Sequence, residues 1–166
     1  MKKTIAAIST SILLLAASSN AFASGSIPTD VDRSQFPQKV EFGIDTSLEN
    51  TPQSKSFSTM ATGESILIRA FSDYIPGSTI PVWEYSATGI TDPKSILYVA
   101  SVTTSLFHDN DLIGQSNQAI GLAGFDAEVE YLAESAIEGY WEAFSNHTIT
   151  NGSDFFTAWT VDSENY

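Results

Sequence analysis

From Phe125 to Glu134 the chain alternates without a break. Phe125, Ala127, Val129, Tyr131 and Ala133 fall on one side, and Asp126, Glu128, Glu130, Leu132 and Glu134 on the other. A period of two belongs to a strand, whose successive Cβ atoms point to opposite faces, whereas a helix repeats every 3.6 residues. Ala, Glu and Leu favour a helix by propensity. The unbroken alternation outweighs that preference and predicts a strand with one wet, acidic face. Such a strand must bury its other face against a second layer, and this requirement limits the fold more than any other feature.

The same period recurs along the chain. Val40, Phe42 and Ile44 alternate with Lys39, Glu41, Gly43 and Asp45. Residues 65–71 and 80–85 read as strands separated by Pro76-Gly77, and Pro81 puts the second at a sheet edge or at a strand start. Residues 96–107 form a long β-branched run with Tyr98, Ala100, Val102, Thr104 and Leu106 on one side. His108-Asp109-Asn110-Asp111 supplies turn chemistry, and residues 112–115 return as the partner strand. Residues 139–150 lead to Asn151-Gly152, a dipeptide suited to a type I′ turn, so residues 155–161 are expected to pair back. Residues 46–56 read as a polar loop. The expected fold is all-β, an antiparallel, immunoglobulin-like β-sandwich of seven or eight short strands forming one domain over residues 38–166.

The N-terminus has a different character. Lys2 and Lys3 precede a short apolar run from Ile5 to Ala17, and Ala21-Phe22-Ala23 fits a signal-peptidase site. Residues 1–23 are therefore expected to be a signal peptide cleaved after Ala23, which sends the protein to the periplasm or the medium. The run is short of the ~20 apolar residues that span a bilayer, so no transmembrane span is expected in the mature chain. Residues 24–37, with Pro28 and Pro37, read as an extended, poorly ordered N-terminal segment.

Charge and composition narrow the function. There are 7 Lys+Arg against 20 Asp+Glu, a formal net charge of −13, and no cysteine. Loss of Lys2 and Lys3 makes the mature chain more acidic still. Its bases are Arg33, Lys39, Lys55, Arg69 and Lys94, with none after Lys94. Nucleic acid and anionic lipid would be repelled by this surface. Cysteine-free chains hold no disulfide framework, thiolate-ligated metal or thiol nucleophile.

A resemblance enters at residues 96–150. The run Ser101-Val102-Thr103-Thr104-Ser105-Leu106-Phe107, the Asp/Asn turn, Leu112-Ile113, and then Gly139-Tyr140-Trp141-Glu142-Ala143-Phe144-Ser145-Asn146-His147-Thr148-Ile149 carry it. This stretch resembles bacterial secreted immunoglobulin-like modules with a Gly-x-aromatic-x-Ala-x-small-x-His-x-aliphatic strand. The likeness covers about a third of the chain and implies a fold without implying an activity.

Candidate chemistry is sparse. His147 shares a strand face with Trp141, Ala143, Ser145 and Ile149, which points it into the core as a hydrogen-bonded structural histidine. His108 sits at a hairpin tip beside Asp109 and Asp111, where such residues serve the turn. A calcium loop counted from Asp109 fails, since Ile113 and Ile120 occupy ligand positions. No Gly-x-Ser-x-Gly or Ser-x-x-Lys motif is present. Glu128, Glu130, Glu134, Glu138 and Glu142 could nominally supply a carboxylate pair, with Glu128 and Glu130 roughly 7 Å apart on one strand face. That face reads as solvated, which does not raise a carboxyl pKa as a general acid requires. Trp83 and Tyr85, at spacing two, could offer a sugar a stacking platform.

The sequence thus points to a non-enzymatic binding or interaction module with an acidic surface, for a protein or glycan partner, with no catalytic, cofactor-binding or metal residues assigned. A secreted hydrolase or toxin-type effector, and a surface or fimbrial subunit, are the competing readings. Mature protein from the envelope or medium is expected to begin at Ser24, as N-terminal sequencing would show. Recovery of an intact Met1 would overturn the localisation.

Overall fold

Alternation in the sequence becomes nine strands in two facing sheets among the described residues. A computed structural model describes residues 31–44 and 59–166. The expected signal peptide and the polar loop at 46–56 lie outside them. The strands are β1 (Lys39–Ile44), β2 (Thr59–Tyr74), β3 (Pro81–Pro93), β4 (Val99–His108), β5 (Asp111–Gln115), β6 (Ala119–Gly121), β7 (Ala127–Ser135), β8 (Tyr140–Thr150) and β9 (Phe155–Asn165). The first sheet has the order β1-β2-β3-β7, and the second β5-β4-β8-β9 with β6 also beside β4. All pairs are antiparallel. The chain crosses between sheets after β3, after β6 and after β7. This is the expected all-β sandwich. The extra strand count comes mainly from β6, three residues with no pattern to announce them.

One open alternative is decided and two local expectations are corrected. Of the two places open to Pro81, the structure takes the strand start: it begins β3 opposite Tyr74, and β3 lies between β2 and β7. At the first residue of a strand the missing N–H interrupts little of the ladder. The β4 strand starts at Val99 rather than Ile96, and Ile96 and Leu97 stand exposed in the preceding turn. The β8–β9 connection is not a two-residue type I′ turn. It has four residues, with Asn151 Oδ1 accepting the N–H of Ser153 at 2.9 Å and of Asp154 at 2.8 Å. The two-residue left-handed turn is instead at Asp109 (φ 47°) and Asn110 (φ 73°), which closes the β4–β5 hairpin.

The interior has an apolar cluster towards each end. One is built on Phe42, Met60, Ala61, Tyr98, Val102 and Ile149. The other is built on Tyr85, Leu106, Trp141 and Ala143, with Tyr85 stacked on Trp141 at 3.7 Å between ring centres. Between them runs a buried polar layer of Ser65, Thr91, Thr104, Ser145, His147 and Thr160.

The second sheet also buries part of its outer face, and residues 31–37 do the covering. They were expected to be poorly ordered. Instead, a 3-10 turn at Arg33–Gln35, capped by Asp32, seats Arg33 in the protein interior. Its guanidinium donates to Glu142 from Nε at 3.0 Å and from Nη2 at 2.7 Å, reaches Asn110 Oδ1 at 3.2 Å, and lies 3.8 Å above the Phe107 ring. Phe36 packs beside it against Phe144 and Trp159, at 5.6 and 5.5 Å between ring centres. The Pro37 carbonyl then accepts from Val161 of β9, and the Gln38 carbonyl from Ser65 of β2, both at 3.0 Å. The segment thereby passes from the outside of one sheet to the edge of the other.

Removing one member of a buried ion pair strands the other without compensation, at a cost of about 3–5 kcal/mol. Arg33→Ala is therefore expected to lower the urea midpoint sharply. The double variant Arg33→Met/Glu142→Leu should recover most of the loss. Equal urea stability of Arg33→Ala and wild type would contradict the clamp.

Candidate interaction surface

The outer face of the first sheet is where the acidic strand β7 displays its carboxylates. Register places Glu128 beside Ile90, Glu130 beside Thr88, Leu132 beside Ser86 and Glu134 beside Glu84. Glu128, Glu130 and Glu134 are exposed, as the alternation required. Glu84, which the sequence reading did not single out, joins them from β3. Its position between inward Trp83 and Tyr85 was the available signal. Like charges directly opposite on adjacent strands repel, and Glu84 faces Glu134 in this way.

Hydroxyls steady two of these carboxylates. Ser86 Oγ donates to Glu130 at 2.5 Å, and Ser72 donates to Glu134. Ile68 and Leu132 flank Ser86 on the same row and are each about half exposed. Farther along, burial holds the Asp126 carboxyl above its ordinary range, and the neighbouring charges of Asp92 and Glu128 act in the same direction. The bases at the opposite side of this sheet are engaged. Lys39 pairs with Glu64 at 2.7 Å and Lys94 with Glu41 at 3.0 Å. Among the described residues, no salt bridge involves Glu84, Glu128, Glu130 or Glu134.

Other residues named from the sequence go elsewhere. Glu142 leaves the acidic set entirely, being buried against Arg33. Glu138 faces Arg69 at 3.6 Å. Trp83 and Tyr85 form no platform. Tyr85 is fully buried, and the Arg69 guanidinium covers the Trp83 ring at 3.9 Å. His108 packs 4.5 Å from the Trp141 ring, with Nε2 at 3.2 Å from the Glu138 carbonyl and 3.5 Å from Asp109 Oδ2. Among the described residues no group of three or more His, Cys, Asp or Glu is placed to hold a metal ion, and no helix is long and apolar enough to cross a membrane.

His147 lies in the core as read. Its Nδ1 is 2.9 Å from Thr91 Oγ1 and its Nε2 is 2.7 Å from Thr160 Oγ1. Thr160 Oγ1 is 2.6 Å from Ser65 Oγ, which donates to Ser145 at 2.8 Å, and Ser145 donates to Thr104 at 3.0 Å. Burial alone pushes the imidazole pKa down to about 3. The ring is neutral in the folded protein and works as a hydrogen-bonding spacer between the sheets.

No protein-family model matches the chain, and no curated protein is significantly similar to it.

The histidine has a pH consequence. Its folded pKa of about 3 lies below the ~6.5 of an unfolded histidine, so the unfolded chain alone takes up this proton as pH falls between them. Stability contributed here is complete above the unfolded value and declines by about 1.4 kcal/mol per pH unit below it. Denaturation between about pH 6.5 and 5, above most carboxyl titration, should show this loss in wild type and lack it in His147→Asn. An equal slope in both proteins would refute the assignment.

Proposed function

We propose that this chain is a secreted or periplasmic, non-enzymatic binding module of immunoglobulin-like type, whose acidic sheet face receives a basic region of a partner protein. The observation that supports the partner's chemistry is the direct opposition of Glu84 and Glu134, carboxylates that no salt bridge among the described residues neutralises. Repulsion of that kind costs stability in the free protein and is relieved when Lys or Arg side chains arrive. The glycan alternative loses its support with the Trp83–Tyr85 platform.

Two things favour the immunoglobulin-like relationship. The run at 101–107 and the aromatic-rich strand at 139–149 resemble bacterial secreted modules of that type. In addition, β2-β3-β7 facing β5-β4-β8-β9 follows the order A-B-E facing C′-C-F-G. Strand β1 is an addition beyond A, and no strand occupies the D position among the described residues. The positively charged leader ending in Ala21-Phe22-Ala23 supports export.

A pull-down from envelope or host extract, at low and high salt, tests the reading. A basic protein should be recovered at low salt and lost at high salt, because exposed charges are screened over about 8–10 Å near physiological ionic strength. Changing Glu128, Glu130 and Glu134 together to Gln should abolish recovery while costing less than about 0.5 kcal/mol per site in stability. The same partner recovered at both salt levels, or by the triple variant, would refute the electrostatic reading.

A further inference from the structure

Among the described residues the first sheet ends at β7, and its outer backbone edge is open. Strand β7 pairs with β3 through nine consecutive positions without a bulge and has no other strand partner among the described residues. Among the described residues no other backbone hydrogen bond reaches 127–135. The strand contains no proline. A regular open edge is a template for another strand, and proteins normally block it with a bulge, proline, cover or charge.

Here only charge is used, and it is of one sign. Two copies of β7 meeting antiparallel about Tyr131 would set Glu128 against Glu134, so the edge rejects its own kind. A strand carrying Lys or Arg meets no such penalty. The inward side chains provide a second argument. Ala127 is buried, yet Val129, Tyr131 and Ala133, on the same face, are only half-buried. The open edge of the facing sheet lies on the same side. The Tyr131 ring crosses to β5 so closely that a Cβ on Gly114 would stand 2.0 Å from its hydroxyl oxygen. Apolar side chains of an added strand would cover these half-buried groups.

We infer that the β7 edge is a strand-addition site for an extended, amphipathic, basic segment of the partner protein. The inference rests on the acidic-surface reading and specifies how that surface is engaged. Main-chain hydrogen bonds to the edge supply register and affinity, and alternate side chains supply specificity. The incoming strand lies about 4.8 Å from β7. It places basic residues opposite Glu128, Glu130 and Glu134, an aliphatic residue opposite Leu132, and apolar residues opposite Val129, Tyr131 and Ala133.

A capped peptide of that pattern, Thr-Lys-Val-Leu-Val-Lys-Val-Lys-Thr, is the probe. Titrated into the full chain, it should bind and shift the amide resonances of 127–135. The Glu128/Glu130/Glu134→Gln variant should bind it about tenfold more weakly, as expected for three cross-strand charge pairs. Two further peptides carry backbone N-methyl groups, one on alternate residues and one on the intervening set. Since N–H groups alternate in direction along a strand, one set should lose at least about tenfold in affinity and the other should match the parent. If both N-methylated peptides bind like the parent, side chains alone mediate docking, and strand addition is overturned while the acidic-surface reading stands. If the parent peptide does not bind at all, the edge inference fails and the salt-dependent pull-down alone decides the acidic-surface reading. A concentration-dependent dimer protecting the amides of 127–135 would overturn it too, by putting a second copy where the partner belongs.

Discussion

The sandwich depends on a polar layer through its middle, and that layer depends on His147. A neutral imidazole accepts at one nitrogen and donates at the other, and Thr91 from β3 and Thr160 from β9 meet both. From Thr160 the hydroxyl contacts continue through Ser65 on β2 to Ser145 on β8 and Thr104 on β4. Three of these links join one sheet to the other, so a shift of either sheet would break several buried bonds at once. Unpaired buried polar groups cost more than paired ones gain, which makes the layer a register device more than a source of net stability. Close approach is part of the device. A Cβ on Gly63 would stand 2.7 Å from the His147 ring, and one on Gly89 would stand 2.7 Å from Ser145 Oγ. Glycine is needed at both positions for room, not for a special backbone conformation.

The second sheet solves a different problem. Strand β8 is buried on both faces along much of its length, although a two-layer sandwich normally leaves one face of each sheet to water. Residues 31–37 supply a partial third layer. Phe36 extends the aromatic group of Phe144 and Trp159, and Arg33 neutralises the one carboxylate on β8 that this layer would otherwise bury alone. Charge repulsion in the acidic half is thereby kept out of the interior.

Much of the fold was legible because alternation reports burial on one side of a strand. That signal located β1, β4, β7 and β8 and pointed His147 inward, while the run at 65–71 marked only the middle of β2. It was silent where burial has another cause. Glu142 sits at an outward position of β8 and reads as wet, since nothing in the local pattern reveals that Arg33, 109 residues earlier, covers it. Pro81 left an edge and a strand start both open, because proline cannot donate to a ladder, and only the pairing of β3 with β2 and β7 decides for the start of an interior strand. The Trp83–Tyr85 pair had the spacing of a platform, but the β3 register turns both rings inward, beneath Arg69 and against Trp141. The acidic face was visible residue by residue on β7. Its most informative feature, Glu84 opposite Glu134, depends on the pairing of β3 with β7, and that pairing is written in neither strand alone.

Electrostatics ties stability to recognition on the first sheet. The repulsion between Glu84 and Glu134 belongs to the free protein, and dissolved salt weakens it. The attraction between the same carboxylates and a basic strand would belong to the proposed complex, and dissolved salt weakens that as well. Raising ionic strength therefore stabilises the isolated module while loosening the proposed complex. A protein selected only for solubility gains nothing by setting two glutamates directly opposite each other, because scattered charges keep a surface soluble without the pairwise cost. Concentrating them beside an open, proline-free edge raises the cost of pairing with another β7 and lowers the cost of pairing with a basic strand. On the proposed reading, the same arrangement guards the edge against self-association and selects which strand can use it.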